Sequence, residues 1–167
     1  VIPFEEIPDY VKWATIAIED SNFYNNPGFD WRGILRAFFT NILRGSFAQG
    51  GSTITQQLAR NAFLSSEKTI IRKIKELIVA IELEKKYSKD QILNLYLNQI
   101  PYGGNAYGIE AAAQTFFEKS AKDLNLAEAA LLASLPRATS YYSPWGNHLD
   151  ELFKRKDNAI QKMYDLG

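Results

Sequence analysis

The sequence predicts a mainly α fold. Apolar residues recur at helical spacings of three and four along the chain, and strand-like alternation is nearly absent. Two alanine-rich stretches, 107–117 and 125–134, suit close packing of helix on helix. The 167 residues, 46% of them hydrophobic, suffice for one buried core with at most a small additional lobe.

Asp9 is placed to cap a first helix running through Val11, Ala14, Ile16 and Ala17 to Glu19. Asn25-Asn26-Pro27-Gly28 breaks the pattern. Asp30 can cap a helix over 31–43, where Trp31, Ile34, Leu35, Phe38, Phe39, Ile42 and Leu43 form one broad apolar face. Residues 45–51 form a link, and a helix carrying Gln56, Gln57 and Arg60 begins near Thr53. The spacing next predicts a long helix over 67–86 with Ile70, Ile71, Ile74, Leu77, Ile78 and Ile81 facing inward. Ser88 caps a helix through Ile92, Leu95 and Tyr96 that stops at Pro101-Tyr102-Gly103-Gly104, expected as a turn of close backbone approach. Pro136 ends the helix over 125–134, residues 141–147 form a loop, and an amphipathic helix over 149–163 closes the chain.

Composition excludes several classes of function. Nineteen Lys and Arg balance nineteen Asp and Glu, which disfavours a globally basic nucleic-acid binder. There is no cysteine, hence no disulfide or thiolate metal site, and His148 is the only histidine, hence no histidine triad or multi-histidine zinc site. No run of about 18 to 20 uncharged apolar residues is present to span a bilayer. The chain opens on Val1 without a signal-like segment, as expected of a domain whose anchor lies elsewhere.

Three groups of residues carry chemistry. Glu19 ends an apolar helix, where burial would raise its carboxyl pKa and make it a better base. Asp20 points about 100° away on a helix, so the pair divides its duties, unless both are ordinary solvated helix-end acids. The loop Gly50-Gly51-Ser52-Thr53-Ile54-Thr55-Gln56-Gln57 offers hydroxyls and amides at a helix start, where free N–H groups bind anions. The competing account is simple capping by Ser52 or Thr53. Lys68 and Arg72, and Arg72 and Glu76, are four apart, and Lys73 and Glu76 are three apart, so these side chains can converge. They form either a salt-bridged solvent face or, with Arg60, a site for a diphosphate beside a carboxylate. The 31–43 helix packs in a core, or its Trp and Phe side chains enter a headgroup boundary while Arg32, Arg36 and Arg44 face phosphate.

In order, Glu19-Asp20-Ser21-Asn22-Phe23, Gly50 to Gln57 and Arg72-Lys73-Ile74-Lys75-Glu76 resemble the signature of peptidoglycan glycosyltransferase (transglycosylase) domains of class A penicillin-binding proteins and monofunctional transglycosylases. Two later stretches extend the resemblance over nearly the whole chain. One is Ile92-Leu93-Asn94-Leu95-Tyr96-Leu97-Asn98 running to Tyr102-Gly103, the other Ala127-Glu128-Ala129-Ala130-Leu131-Leu132-Ala133 running to Leu135-Pro136.

The resemblance implies one domain over 1–167: a lysozyme-like helical catalytic lobe with a small membrane-facing jaw lobe over roughly 27–50 that carries the helix from Trp31 to Leu43. It implies polymerisation of lipid II into β-1,4-linked glycan strands, with inversion and release of undecaprenyl diphosphate. Glu19 then matches the general base, and Glu76 the second catalytic glutamate, supported by Arg72. Arg60, Lys68 and Lys73 match phosphate-binding positions, Thr53 and Gln57 positions contacting sugar or phosphate, and Asp20, Phe23 and Ser52 belong to the same substrate-binding motifs. The partners implied are lipid II, the lipid-linked glycan strand, the membrane surface and moenomycin-type inhibitors, at the outer face of the bacterial cytoplasmic membrane.

A divalent cation, magnesium or manganese, bridging the diphosphate is the one cofactor this chemistry accommodates, and the sequence offers no metal cage for it. Two positions depart from the family pattern: Asn26 stands where many members have histidine, and Arg60 where lysine is usual. A glycan-cleaving lysozyme or lytic transglycosylase, and a catalytically silent wall-binding module, are the competing readings. The cations near the acid count against the first, and the presence of both Glu19 and Glu76 against the second.

Overall fold

The computed structural model describes residues 1–30, 52–63 and 69–167. The helix expected over 31–43, most of the expected jaw lobe, Gly50, Gly51 and Lys68 lie outside the described residues. Within them the fold is helical, as the spacing predicts. Its α-helices are α1 (Asp9–Glu19), α2 (Ile54–Phe63), α3 (Ile70–Lys86), α4 (Lys89–Gln99), α5 (Ile109–Phe117), α6 (Leu126–Ser134) and α7 (Leu149–Leu166).

Helix α1 begins one residue earlier in its logic than expected. Pro8, in extended geometry at φ −57° and ψ 143°, takes the cap position, and its carbonyl accepts from Val11 N and Lys12 N. Asp9 is therefore the first helical residue, where its charge suits the helix dipole. The buried face of α1 (Val11, Ala14, Ile16, Ala17 and Ile18) packs against α6 and α7, which also pack on each other. Small side chains make this possible: Ala14, Ala130, Ala133 and Ala159 join Ile18 in one buried cluster between the three helices.

The second layer is α2 lying on α3 and α4. Thr53 and Gln56 form a reciprocal cap at the start of α2: Gln56 N donates to Thr53 Oγ1 at 3.1 Å, and Thr53 N donates to Gln56 Oε1 at 3.1 Å. Ser88 caps α4 as expected, with Gln91 completing the box. Asn125 and Glu128 do the same for α6.

Helix α3 departs from the reading by periodicity. Its buried residues are Glu76, Ala80 and Leu83, whereas Ile70, Ile71, Ile74 and Ile78 are exposed by 54% or more. Both sets obey helical spacing. The choice between them is made by α2, which packs on the face containing a carboxylate and leaves the isoleucine stripe outside.

The stop at Pro101 is a two-stranded antiparallel hairpin, β1 (Pro101–Gly103) and β2 (Ala106–Tyr107), rather than a bare turn. Its tip needs left-handed backbone at Gly103, Gly104 and Asn105. Gly108 follows, at φ +83°, where an added Cβ would lie 2.4 Å from the Asn98 carbonyl oxygen. Gly108→Ala should therefore cost on the order of 2 kcal/mol or more, because strained φ and a backbone clash add. Urea denaturation of the variant beside the parent protein measures it, and equal midpoints would disprove the tight approach.

Candidate active site

The apolar face of α1 buries the helix up to its last residue and leaves Glu19 at the edge of a cleft of about 530 Å³. The Glu19 side chain is only 8% exposed, so its charge needs partners. Arg155 of α7, 136 residues away, donates from Nη2 to Glu19 Oε1 at 2.6 Å, and Gln57 Nε2 of α2 donates to Oε2 at 2.9 Å. Arg155 is itself oriented by a 3.0 Å bond from Nε to the Ser134 carbonyl at the end of α6. The candidate base thus joins three elements distant in sequence.

Asp20 makes contacts separate from those of Glu19, although it does not continue the helix as expected. Its backbone leaves the helix at φ −158°. Both carboxylate oxygens accept from Asn26 Nδ2, at 2.9 and 3.0 Å, and Oδ2 also accepts from Ile54 N at 3.1 Å. Burial pushes the Asp20 carboxyl upward from its ordinary range, against the pull of the Ile54 and Asn26 bonds and of the Lys89 charge. Asp20 lines the cleft while tying the first loop to the start of α2. Two of the first three N–H groups of α2 are consequently committed, Ile54 to Asp20 and Gln56 to Thr53, so this helix start is not the open anion site the sequence suggested.

The remaining expected residues fall into distinct places. Ser52, Thr53, Gln57 and Arg60 line the same cleft as Glu19 and Asp20. The Thr53 hydroxyl is engaged in capping and in a 2.7 Å bond to the Gly28 carbonyl, and Gln57 is engaged by Glu19. Lys73 Nζ donates to Ser52 Oγ at 2.7 Å and to Glu76 Oε1 at 2.6 Å, so it bridges α3 to the cleft wall.

Glu76 is fully buried and reaches the cleft through Lys73, not as a second exposed carboxylate opposite Glu19. The reason is its position on the face of α3 that packs inward. The expected Arg72 support for Glu76 is supplied by Lys73 instead: Glu76 Oε2 and Arg72 Nε are both buried without a hydrogen-bond partner. Such atoms mark where water or a ligand group completes the set. Phe23 also needs correction as a substrate contact. It is fully buried, with the Lys89 ammonium 4.6 Å from its ring centre, and it serves to seat the loop after Glu19.

Three cleft cations had no signal in the sequence motifs. Arg137, Arg155 and Lys162 also line the cleft, contributed by the segment after α6 and by α7. They stand in an amphipathic helix and a loop that read as ordinary surface. Only the return of the chain against α1 gives them a role. Asn26, noted as a departure from the family pattern, binds Asp20 through its amide nitrogen and accepts from Gly28 N at 2.9 Å through its oxygen. Lys89 donates to the Asn26 carbonyl at 2.7 Å and to Glu84 Oε1 at 2.8 Å, fixing this loop from α4. Among the described residues no three His, Asp or Glu side chains converge as a metal site. The donor set therefore does not fit a cation caged by these side chains.

A nearly buried acid at the edge of a cleft lined by Arg60, Arg137, Arg155 and Lys162 is the arrangement an enzyme active site presents. The comparisons place the chain among enzymes. The Transglycosylase family matches residues 1–164. The chain is 48% identical, over 99% of its length, to penicillin-binding protein 1F of Bacillus subtilis, of which the match covers 23%. It is 48% identical to penicillin-binding protein 1A of Vibrio cholerae, over 98% of this chain and 20% of the relative, and 46% identical to penicillin-binding protein 1A of Escherichia coli, over 99% and 19%. The chain belongs to the transglycosylase family. It spans about a fifth of the length of these relatives.

Breaking the pair between Arg155 (9% exposed) and Glu19 leaves a buried acid half-compensated. Arg155→Ala should lower unfolding free energy by about 3–5 kcal/mol, the range for removing one partner of a buried pair. Chemical denaturation at neutral pH tests this, and a loss below 1 kcal/mol would mean that the pair behaves as a surface contact.

Proposed function

We propose that this domain is a peptidoglycan glycosyltransferase that polymerises lipid II into β-1,4-linked glycan strands. The observation that carries the reading is Glu19, buried at the cleft edge and held from both sides by Arg155 and Gln57, with Arg60, Arg137 and Lys162 on the surrounding walls. The donor is a lipid-linked strand whose terminal anomeric carbon carries diphosphate in α linkage. The acceptor is the 4-hydroxyl of the GlcNAc of lipid II. Glu19 takes the proton from that hydroxyl as its oxygen bonds to the anomeric carbon. The bond from that carbon to the diphosphate oxygen breaks, its electron pair leaves with undecaprenyl diphosphate, and one displacement inverts α to β.

Each carboxylate oxygen of Glu19 accepts one hydrogen bond and retains a further lone pair, so the base can take a proton without losing its anchors. Cations aimed at the departing diphosphate stabilise charge as it develops. Fixing both substrates in one cleft removes part of the entropic barrier. Arg60 and Lys73, with Lys68 beside them in sequence, serve the phosphates, and Glu76 holds the Lys73 ammonium in place. A divalent cation, where one takes part, would sit on substrate oxygens, and the steps above use protein groups alone. A glycan-cleaving enzyme acting on neutral sugar gains nothing from so many cations.

The reading extends to location. The exposed Ile70, Ile71, Ile74 and Ile78 form an apolar face suited to a headgroup boundary. This reading assigns the domain to the outer face of the bacterial cytoplasmic membrane, with the exposed isoleucines as its support. No described helix is long and apolar enough to cross it.

Incubation with labelled lipid II, with products resolved by size, tests the activity. Glu19→Gln should cut strand synthesis by about 10²-fold or more, the usual worth of a positioned base, with lipid binding largely intact. A variant polymerising at the parent rate would remove Glu19 from this role. Lys73→Ala should weaken binding of moenomycin, a phosphoglycolipid, by about tenfold, equivalent to one charge-assisted hydrogen bond. Titration by calorimetry reads this directly, and an unchanged affinity would place Lys73 outside the phosphate site.

A further inference from the structure

We propose that Tyr96 is a positioning residue for the reaction: its hydroxyl fixes which way the Gln57 amide points, and so keeps a donor on Glu19. The inference rests on the assignment of Glu19 as base. It follows from counting donors and acceptors along one buried line.

Gln57 Nε2 lies 2.9 Å from Glu19 Oε2 and 3.4 Å from the Ser52 carbonyl, both of which only accept. The other end of the amide, Oε1, lies 3.1 Å from the Tyr96 hydroxyl. Were the amide turned over, its oxygen would face a carboxylate and a carbonyl, two unfavourable contacts in a site sheltered from water. The required orientation leaves Oε1 needing a donor. Among the described residues Tyr96 is the one that supplies it.

Tyr96 is suited to that duty. It sits in the middle of α4 and is fully buried, so it can neither swing away nor exchange its partner for bulk water. Burial, and then the negative charge of Glu19, push its phenol well above the ordinary range, which keeps the proton on oxygen and the hydroxyl a donor. The result is a directed chain, Tyr96 to Gln57 to Glu19, in which each link has one allowed polarity. Helix α4 never lines the cleft, yet it decides how the base is presented.

The test uses the purified protein with lipid II as substrate. Tyr96→Phe deletes one oxygen from a packed ring. Expected are a fall of about tenfold in kcat with KM changed by less than about twofold, the pattern of a lost transition-state contact and not of lost substrate affinity. Combined with Gln57→Leu, Tyr96→Phe should cost nothing further, because the two act through one bond. Full parent activity in Tyr96→Phe, or an undiminished additional loss in the Gln57→Leu background, overturns the inference.

Should Tyr96→Phe not fold, proton and nitrogen resonances of the unaltered protein decide it. A slowly exchanging Tyr96 hydroxyl proton close in space to the Gln57 side chain supports the chain, and a freely turning Gln57 amide overturns it. Glu19→Gln run in parallel separates the two readings. A dead Glu19→Gln beside a fully active Tyr96→Phe overturns the Tyr96 inference alone, whereas an active Glu19→Gln overturns the base assignment and this inference with it.

Discussion

A nearly buried carboxylate at the end of an apolar helix is a costly thing to keep charged, and Glu19 is the point about which this structure is arranged. Two neutral or cationic donors are needed, and the fold brings them from distant parts of the chain: Gln57 from α2 and Arg155 from α7. Each donor is in turn held, Gln57 by Tyr96 and Arg155 by the Ser134 carbonyl. The alanine-lined packing of α1, α6 and α7 is what lets Arg155 approach so closely. Core and site are therefore one construction. The small side chains that close the helices together also set the distance between acid and guanidinium.

The second recurrent theme is that polar residues of the motifs serve each other before they serve a substrate. Thr53 caps α2, Asp20 pins the start of that helix, and Asn26 is shared between Asp20, Gly28 and Lys89. These bonds make the cleft wall stiff. A stiff wall matters for displacement chemistry, where two substrates must meet at a fixed angle. Among the described residues, the groups left with spare capacity include the lone pairs of Glu19 and the unpartnered Glu76 Oε2 and Arg72 Nε. Chemistry falls to what the scaffold has not already used.

Charge is distributed in the same spirit. The chain is neutral overall, yet the cleft gathers Arg60, Arg137, Arg155 and Lys162 around Glu19, Asp20 and Asp30. Net charge thus says little about the substrate. Local convergence says more, because charges within a few ångströms act strongly on a bound group, whereas charges spread over the surface are screened.

Among the described residues, the sequence by itself determined the α-helices, the breaks between them and the identity of the motif residues. Those depend on spacing and on turn chemistry, which are local: Ser88 and Asn125 cap as their positions require, and the Glu19, Ser52, Gln57 and Arg60 stretches do meet at one cleft. What only the tertiary structure decided is which of two acceptable faces a helix buries, and which distant residues become neighbours. Ile70, Ile74 and Ile78 lie outside and Glu76 inside because α2 packs on one face of α3 and not the other. Phe23, expected in the cleft, is fully buried in the core because its loop folds back over it. Arg155 lay outside every motif and Tyr96 stood in one without a role, since a residue 136 positions from the acid it pairs with, or one buried within a helix, acquires meaning only when packing fixes its neighbours.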